Sequence, residues 1–98
     1  MAIELIKDDA AWTMKLAGTA DIFDAVAVHR AACEALTDGR GPVVVSLHEV
    51  ESMDTSITQV LLALRRALSG AGRECRMEGA PEAVLAAWRR LGVDEGGA

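Results

Sequence analysis

Residues 50–60 read VESMDTSITQV, with two hydroxyls directly behind an aspartate at the point where a helical apolar stripe begins. Asp54, Thr55 and Ser56 are each able to accept a hydrogen bond from the unpaired N–H groups of a helix's first turn, a contribution of roughly 1 kcal/mol. One cap meets that need, and three capping-competent residues in a row leave a hydroxyl available for other chemistry. A phosphate placed there would face the positive end of the helix dipole. It would add about -1.5 to -2 charge. The fold would tolerate this, whereas a partner docked on the same face would be repelled or blocked.

Other reactive side chains do not assemble into an enzyme. His29 falls within a helical segment and His48 in the stretch after an apolar run, and neither has a third partner at recognisable spacing. Neither GxGxxG, a Walker A sequence nor GxSxG is present. A hydrolase built on Thr55 would need a base and an oxyanion donor, of which only the second is evident, from the helix N-terminus. Asp21, Glu49, Glu51 and Asp54 can approach one another near a sheet edge, and a solvated acidic rim explains them without a cation. Cys33 and Cys75 lie far apart, with no CxxC and no histidine at zinc spacing, and read as small buried hydrophobes. No metal or cofactor is implied.

Composition narrows the partners. The chain has 98 residues, one domain at most, with a core spanning about residues 2–93. Hydrophobic residues make up 51%, enough for a core without disulfides or metal. Aromatics are 3% and the net charge is -5, which argues against stacking on bases and against nucleic acid or an anionic membrane. No apolar run approaches the roughly 20 residues that span a bilayer. The opening MAIELIKDD does not have the pattern of a signal peptide. A soluble, reduced, cytoplasmic protein is expected.

Several elements must position the 54–56 segment. Ile3, Leu5 and then Trp12, Met14, Leu16 alternate with polar or small residues, as in two strands joined by a turn at Asp8-Asp9. From residue 23 to 36 the period becomes helical, with Val28, Ala31, Ala32, Ala35 and Leu36 on one face and Asp21 or Asp24 as the cap. The run VVVSL at 43–47 predicts a central strand buried on both sides, followed by a loop over 48–54. Residues 55–69 carry a stripe of Ile57, Val60, Leu61, Leu64, Ala67 and Leu68, with Leu62 at its edge, and SGAG ends that helix. Residues 73–77 alternate again. The segment 81–91 begins with Pro81 and Glu82 and ends with Arg89 and Arg90, as the helix dipole favours. DEGGA reads as a frayed tail. The order β-β-α-β-α-β-α predicts an α/β fold: a mixed four-stranded β-sheet with α-helices packed against it, the first pair antiparallel and the strands flanking 55–69 parallel.

The stretch from VVVSLHEVESMDTSITQV to the last helix resembles a STAS domain, the fold of bacterial anti-sigma-factor antagonists. It has the aliphatic strand, the loop ending in Asp-Thr, the helix, the glycine turn, a strand and a final helix. LAGTAD at 16–21 is similar to the family's Leu-x-Gly-x-x-Asp segment and brings Asp21 into its partner-binding region. The resemblance implies that Thr55 is the residue phosphorylated by a GHKL-type anti-sigma factor acting as serine/threonine kinase, with Ser56 as the fallback acceptor. The unmodified domain would hold that partner, the phosphorylated form would release it, and a phosphatase would reset the switch. The partner surface would comprise Asp21, Asp54, Thr55, Ser56, Ile57 and Thr58. The family commonly continues Asp-Ser/Thr-x-Gly-Leu, and here Ile57 and Thr58 stand in the last two places. The bulk of Ile57 is expected to hinder a kinase, and Thr58 puts a hydroxyl where a core leucine is usual. STAS-like domains also serve as unmodified docking subunits of lipid-transporting ABC systems, beside the ABC ATPase, or of signalling complexes. No enzyme activity of its own is expected.

Overall fold

The computed structural model describes residues 2–8 and 10–93. Strand β1 (Ala2–Lys7) runs antiparallel to β2 (Trp12–Ala20), in register from Ala2 opposite Ala17 to Lys7 opposite Trp12. Asp8 helps to close the turn, its carboxylate accepting from the Ala10 N–H at 3.0 Å; the Asp9 half of the expected turn and the 94–98 tail lie outside the described residues. A 3-10 turn (Ile22–Asp24) then leads into helix α1 (Ala25–Asp38). Strand β3 (Val43–Met53), helix α2 (Thr55–Gly70), strand β4 (Cys75–Glu78) and helix α3 (Glu82–Arg90) complete the chain. The sheet order is β1-β2-β3-β4, with β2, β3 and β4 mutually parallel.

The core lies between one face of the sheet and the helices. Met14 and Leu16 of β2, Val43, Val45 and Leu47 of β3 and Cys75 of β4 meet Val28, Ala32 and Ala35 of α1, Leu61, Leu64 and Leu68 of α2 and Val84 and Trp88 of α3 in one buried cluster. Burying one Val, Leu or Ile is worth about 1.5–3 kcal/mol, so this cluster supplies most of the drive to fold. The alternation extends to β3, where Val44 and Ser46 are only half-buried. The central strand is therefore buried on one side, not on both as its apolar run suggested.

β3 also continues to Met53, through the residues 48–53 that the sequence places in a loop. The second half of β2 provides the pairing: Ala17 opposes Glu49, Gly18 opposes Val50 and Ala20 opposes Met53. The register slips between Lys15 and Ala17 and again between Gly18 and Thr19, each time leaving one extra residue on β3. Each such bulge shifts the two-residue period, which hides the strand from a pattern search. Gly18 takes φ 86° at the second slip, a conformation that a side chain disfavours.

The turn between α1 and β3 is held by a side chain. Arg73, just ahead of β4, donates from Nε to the Gly41 carbonyl at 2.8 Å and from its two terminal nitrogens to the carbonyls of Leu36 and Ala35 at 3.1 and 3.2 Å. It thereby satisfies carbonyls that the end of α1 leaves unpaired.

Candidate functional site

β2 and β3 end side by side, and each is followed by an aspartate. The Asp54 N–H donates to the Ala20 carbonyl at 2.7 Å, which fixes the exit of β3 against that of β2. Asp21 and Asp54 are therefore neighbours, and each caps the element after it. Asp21 accepts from the Phe23 N–H at 3.0 Å while Asp24 accepts from the Asp21 N–H at 3.0 Å, a reciprocal capping box. The backbone N–H of Asp21 holds the Asp24 carboxyl below its usual range. Asp24 makes no side-chain cap to α1 itself. Asp54 accepts from the Ser56 N–H at 2.9 Å and is the cap of α2.

The hydroxyls behind Asp54 differ. Thr55 is exposed at the first position of α2. Ser56 turns its Oγ away from solvent, where it has no hydrogen-bond partner among the described residues. Of these two hydroxyl side chains, that of Thr55 is the exposed one.

Ile57 and Thr58 face the core, at 0% and 3% exposure. Neither offers side-chain surface to a partner, which corrects their expected place in the docking surface. The bulk of Ile57 also points away from an approaching protein. The Thr58 hydroxyl accepts a hydrogen bond from the Trp88 indole N–H at 3.0 Å, so the polar group standing where leucine is usual is paired across to α3. Trp88 escaped the sequence reading as a partner. The signal was a threonine at a stripe position together with a tryptophan whose N–H needs an acceptor when buried.

The remaining polar residues are spread out. Glu49 pairs with Lys15 at 3.3 Å. No group of three or more histidine, cysteine or acidic side chains is placed to hold a metal among the described residues. His48 is exposed on β3, not in a loop, and its ring lies over Gly79. Cys75 is buried, and burial pushes its thiol up. Cys33 is exposed, against expectation: its Sγ lies 3.7 Å from the His29 imidazole nitrogens, at the rim of an apolar groove between α1 and α2. Leu62 is half-buried.

One feature of the site is absent from the sequence reading. Ile22, Phe23 and Val26 are 61%, 90% and 67% exposed. They fall off the Val28, Ala32, Ala35 face that α1 buries, and the 3-10 turn carrying the first two packs against α2. An apolar patch thus adjoins the Asp21 and Asp54 caps.

No helix is long and apolar enough to cross a membrane among the described residues. No curated protein sequence matches the chain. The fold is similar to that of the anti-sigma factor antagonist SpoIIAA in its unphosphorylated form, at TM-score 0.81 and 15% identity over 94% of this chain and 82% of that one. It is similar to the phosphorylated form of SpoIIAA from Bacillus at TM-score 0.77 and 15% identity, over 94% and 85%. A putative anti-sigma factor antagonist from Thermotoga maritima matches at TM-score 0.78 and 18% identity, over 93% and 77%. A family model described as "Mlab, STAS domain" matches residues 3–95, and the chain belongs to the STAS domain family.

Proposed function

We propose that this chain is a regulatory protein-protein interaction domain working as a phospho-switch of the anti-sigma-factor-antagonist kind. Thr55 is the acceptor, a GHKL-type anti-sigma factor with serine/threonine kinase activity is the partner, and a phosphatase restores the binding form. The observation that carries this reading is the exposed Thr55 beside the Asp54 cap, with the Ser56 hydroxyl shielded. A kinase must bring the terminal phosphate of its nucleotide to the Thr55 oxygen. A phosphothreonine left there faces nucleotide phosphates of the same sign, and the complex parts. The helix N-terminus stabilises the phosphate on the free domain. Dependence on ATP places the switch in the cytoplasm. The chain itself carries out no catalysis in this scheme.

The test is incubation with ATP and the cognate kinase, followed by mass spectrometry. Phosphate on Thr55, absent in Thr55→Ala, and loss of the complex on modification are expected. Phosphate elsewhere with Thr55 unmodified sinks the reading.

The exposed patch of Ile22, Phe23 and Val26 favours a second reading, because an apolar anchor holds a partner without modification. In it the chain is a docking subunit of a lipid-transporting ABC system, bound to its ATPase, or of a signalling complex. A persistent complex with unmodified Thr55 distinguishes it.

A further inference from the structure

A phenylalanine that is 90% exposed contributes nothing to the core, and this is the only phenylalanine in the chain. It sits between Ile22 and Val26, also exposed, on the turn that the Asp21 and Asp24 capping box closes. An aromatic on a backbone already fixed by capping hydrogen bonds leaves less chain to order when it enters a pocket. Its surroundings are mostly acidic, with Arg30 one helical turn beyond Val26. Asp21, Asp24 and Asp54 lie at this end of the sheet, while Glu49 farther back is paired with Lys15.

We propose that Phe23 is the anchor of a docking surface at this end, and that it seats in an apolar pocket of a protein partner whose rim carries Arg or Lys. This rests on the reading that the Thr55 face is the partner face, and it specifies what the partner must offer. The carboxylates of Asp21 and Asp54 lie beside this turn and pair with the basic rim. A second copy of this chain does not fit. A two-fold interface through the patch sets the same carboxylates against one another. A nucleic acid or an anionic membrane is excluded by the same charge.

The experiment places p-benzoylphenylalanine at position 23, and separately at position 6 on the exposed edge strand, in the full chain within its own cells. The protein crosslinked on irradiation is identified, produced pure and titrated with wild type, Phe23→Ala and Thr55→Glu. We expect a heterologous crosslink from position 23 and not from position 6. Phe23→Ala should bind roughly 30-fold or more weakly, with an unchanged thermal unfolding midpoint. Wild-type affinity should fall as salt rises, because charges on the rim are screened. A crosslink to a second copy, no crosslink from position 23, or a Phe23→Ala affinity equal to wild type overturns the anchor. If Thr55→Glu abolishes binding while Phe23→Ala is neutral, the anchor fails and the proposed function stands. If neither variant affects binding, both fail.

Discussion

The indole N–H of Trp88 reaches the hydroxyl of Thr58 at 3.0 Å inside the core, joining α3 to the first turn of α2. Both residues are nearly inaccessible, at 2% and 3%. Thr58 lies three positions after Thr55, so the helix that presents the candidate acceptor is braced from beneath by this bond.

Removing one partner leaves the other unsatisfied. Thr58→Val keeps the shape and deletes the acceptor, and should cost about 1–3 kcal/mol in urea unfolding. In a Trp88→Phe background, which has no N–H to strand, the same change should cost clearly less. A cycle coupling energy near zero is the outcome that contradicts the bond's role.

Arg73 spans the end of α1 and the Gly41 turn with a planar fork. Arg73→Ala should lose about 2 kcal/mol, since hydrogen bonds from a charged donor are worth about 1.5–3 kcal/mol. Arg73→Lys should recover less than half, because a point charge keeps the attraction to the helix end without the fork. Gly39→Ala should also destabilise: a Cβ there would lie 2.6 Å from the Ala35 carbonyl oxygen and 3.1 Å from the Arg73 guanidinium. Denaturation midpoints and hydrogen exchange in the last turn of α1 check all three.

The two thiols should separate in labelling. Cys33 is exposed and should react with a thiol reagent in the native protein, whereas buried Cys75 should react only on unfolding. Burial raises the Cys75 thiol above its ordinary range. The folded state then holds a proton that the unfolded state releases, so stability is unaffected below the usual thiol pKa of about 8.5 and declines as pH rises beyond it. Cys75→Ser should abolish that share of the alkaline decline.

Charge at Thr55 should leave the fold intact. Thr55→Glu should change stability by no more than about 0.5 kcal/mol, as expected for an exposed site beside a helix N-terminus. Asp54→Ala should cost about 1 kcal/mol through loss of the cap. A Thr55→Glu protein as destabilised as Thr58→Val would show that modification there disrupts the fold.

Much of this architecture is legible in the chain. Alternation in 3–16, helical stripes in 23–36 and 55–69, and the glycine turns gave the element order, because local periodicity reflects which face a segment must bury. The Asp54 cap and the place of Thr55 behind it are equally local. The course of β3 from His48 to Met53 was not legible, since its strand character comes from pairing with β2 across two bulges. The same limit applies to Thr58 and Trp88, thirty residues apart, and to Arg73 at the end of α1. Cys33 and Phe23 show it most simply. Composition places both among hydrophobes, yet each falls just off the buried stripe of α1 or its entry turn, and only packing decides which side meets solvent. The sequence by itself determined the Asp54 cap with two candidate acceptors, Thr55 and Ser56, behind it; the tertiary structure decided that Ser56, Ile57 and Thr58 turn inward and that Phe23 turns out.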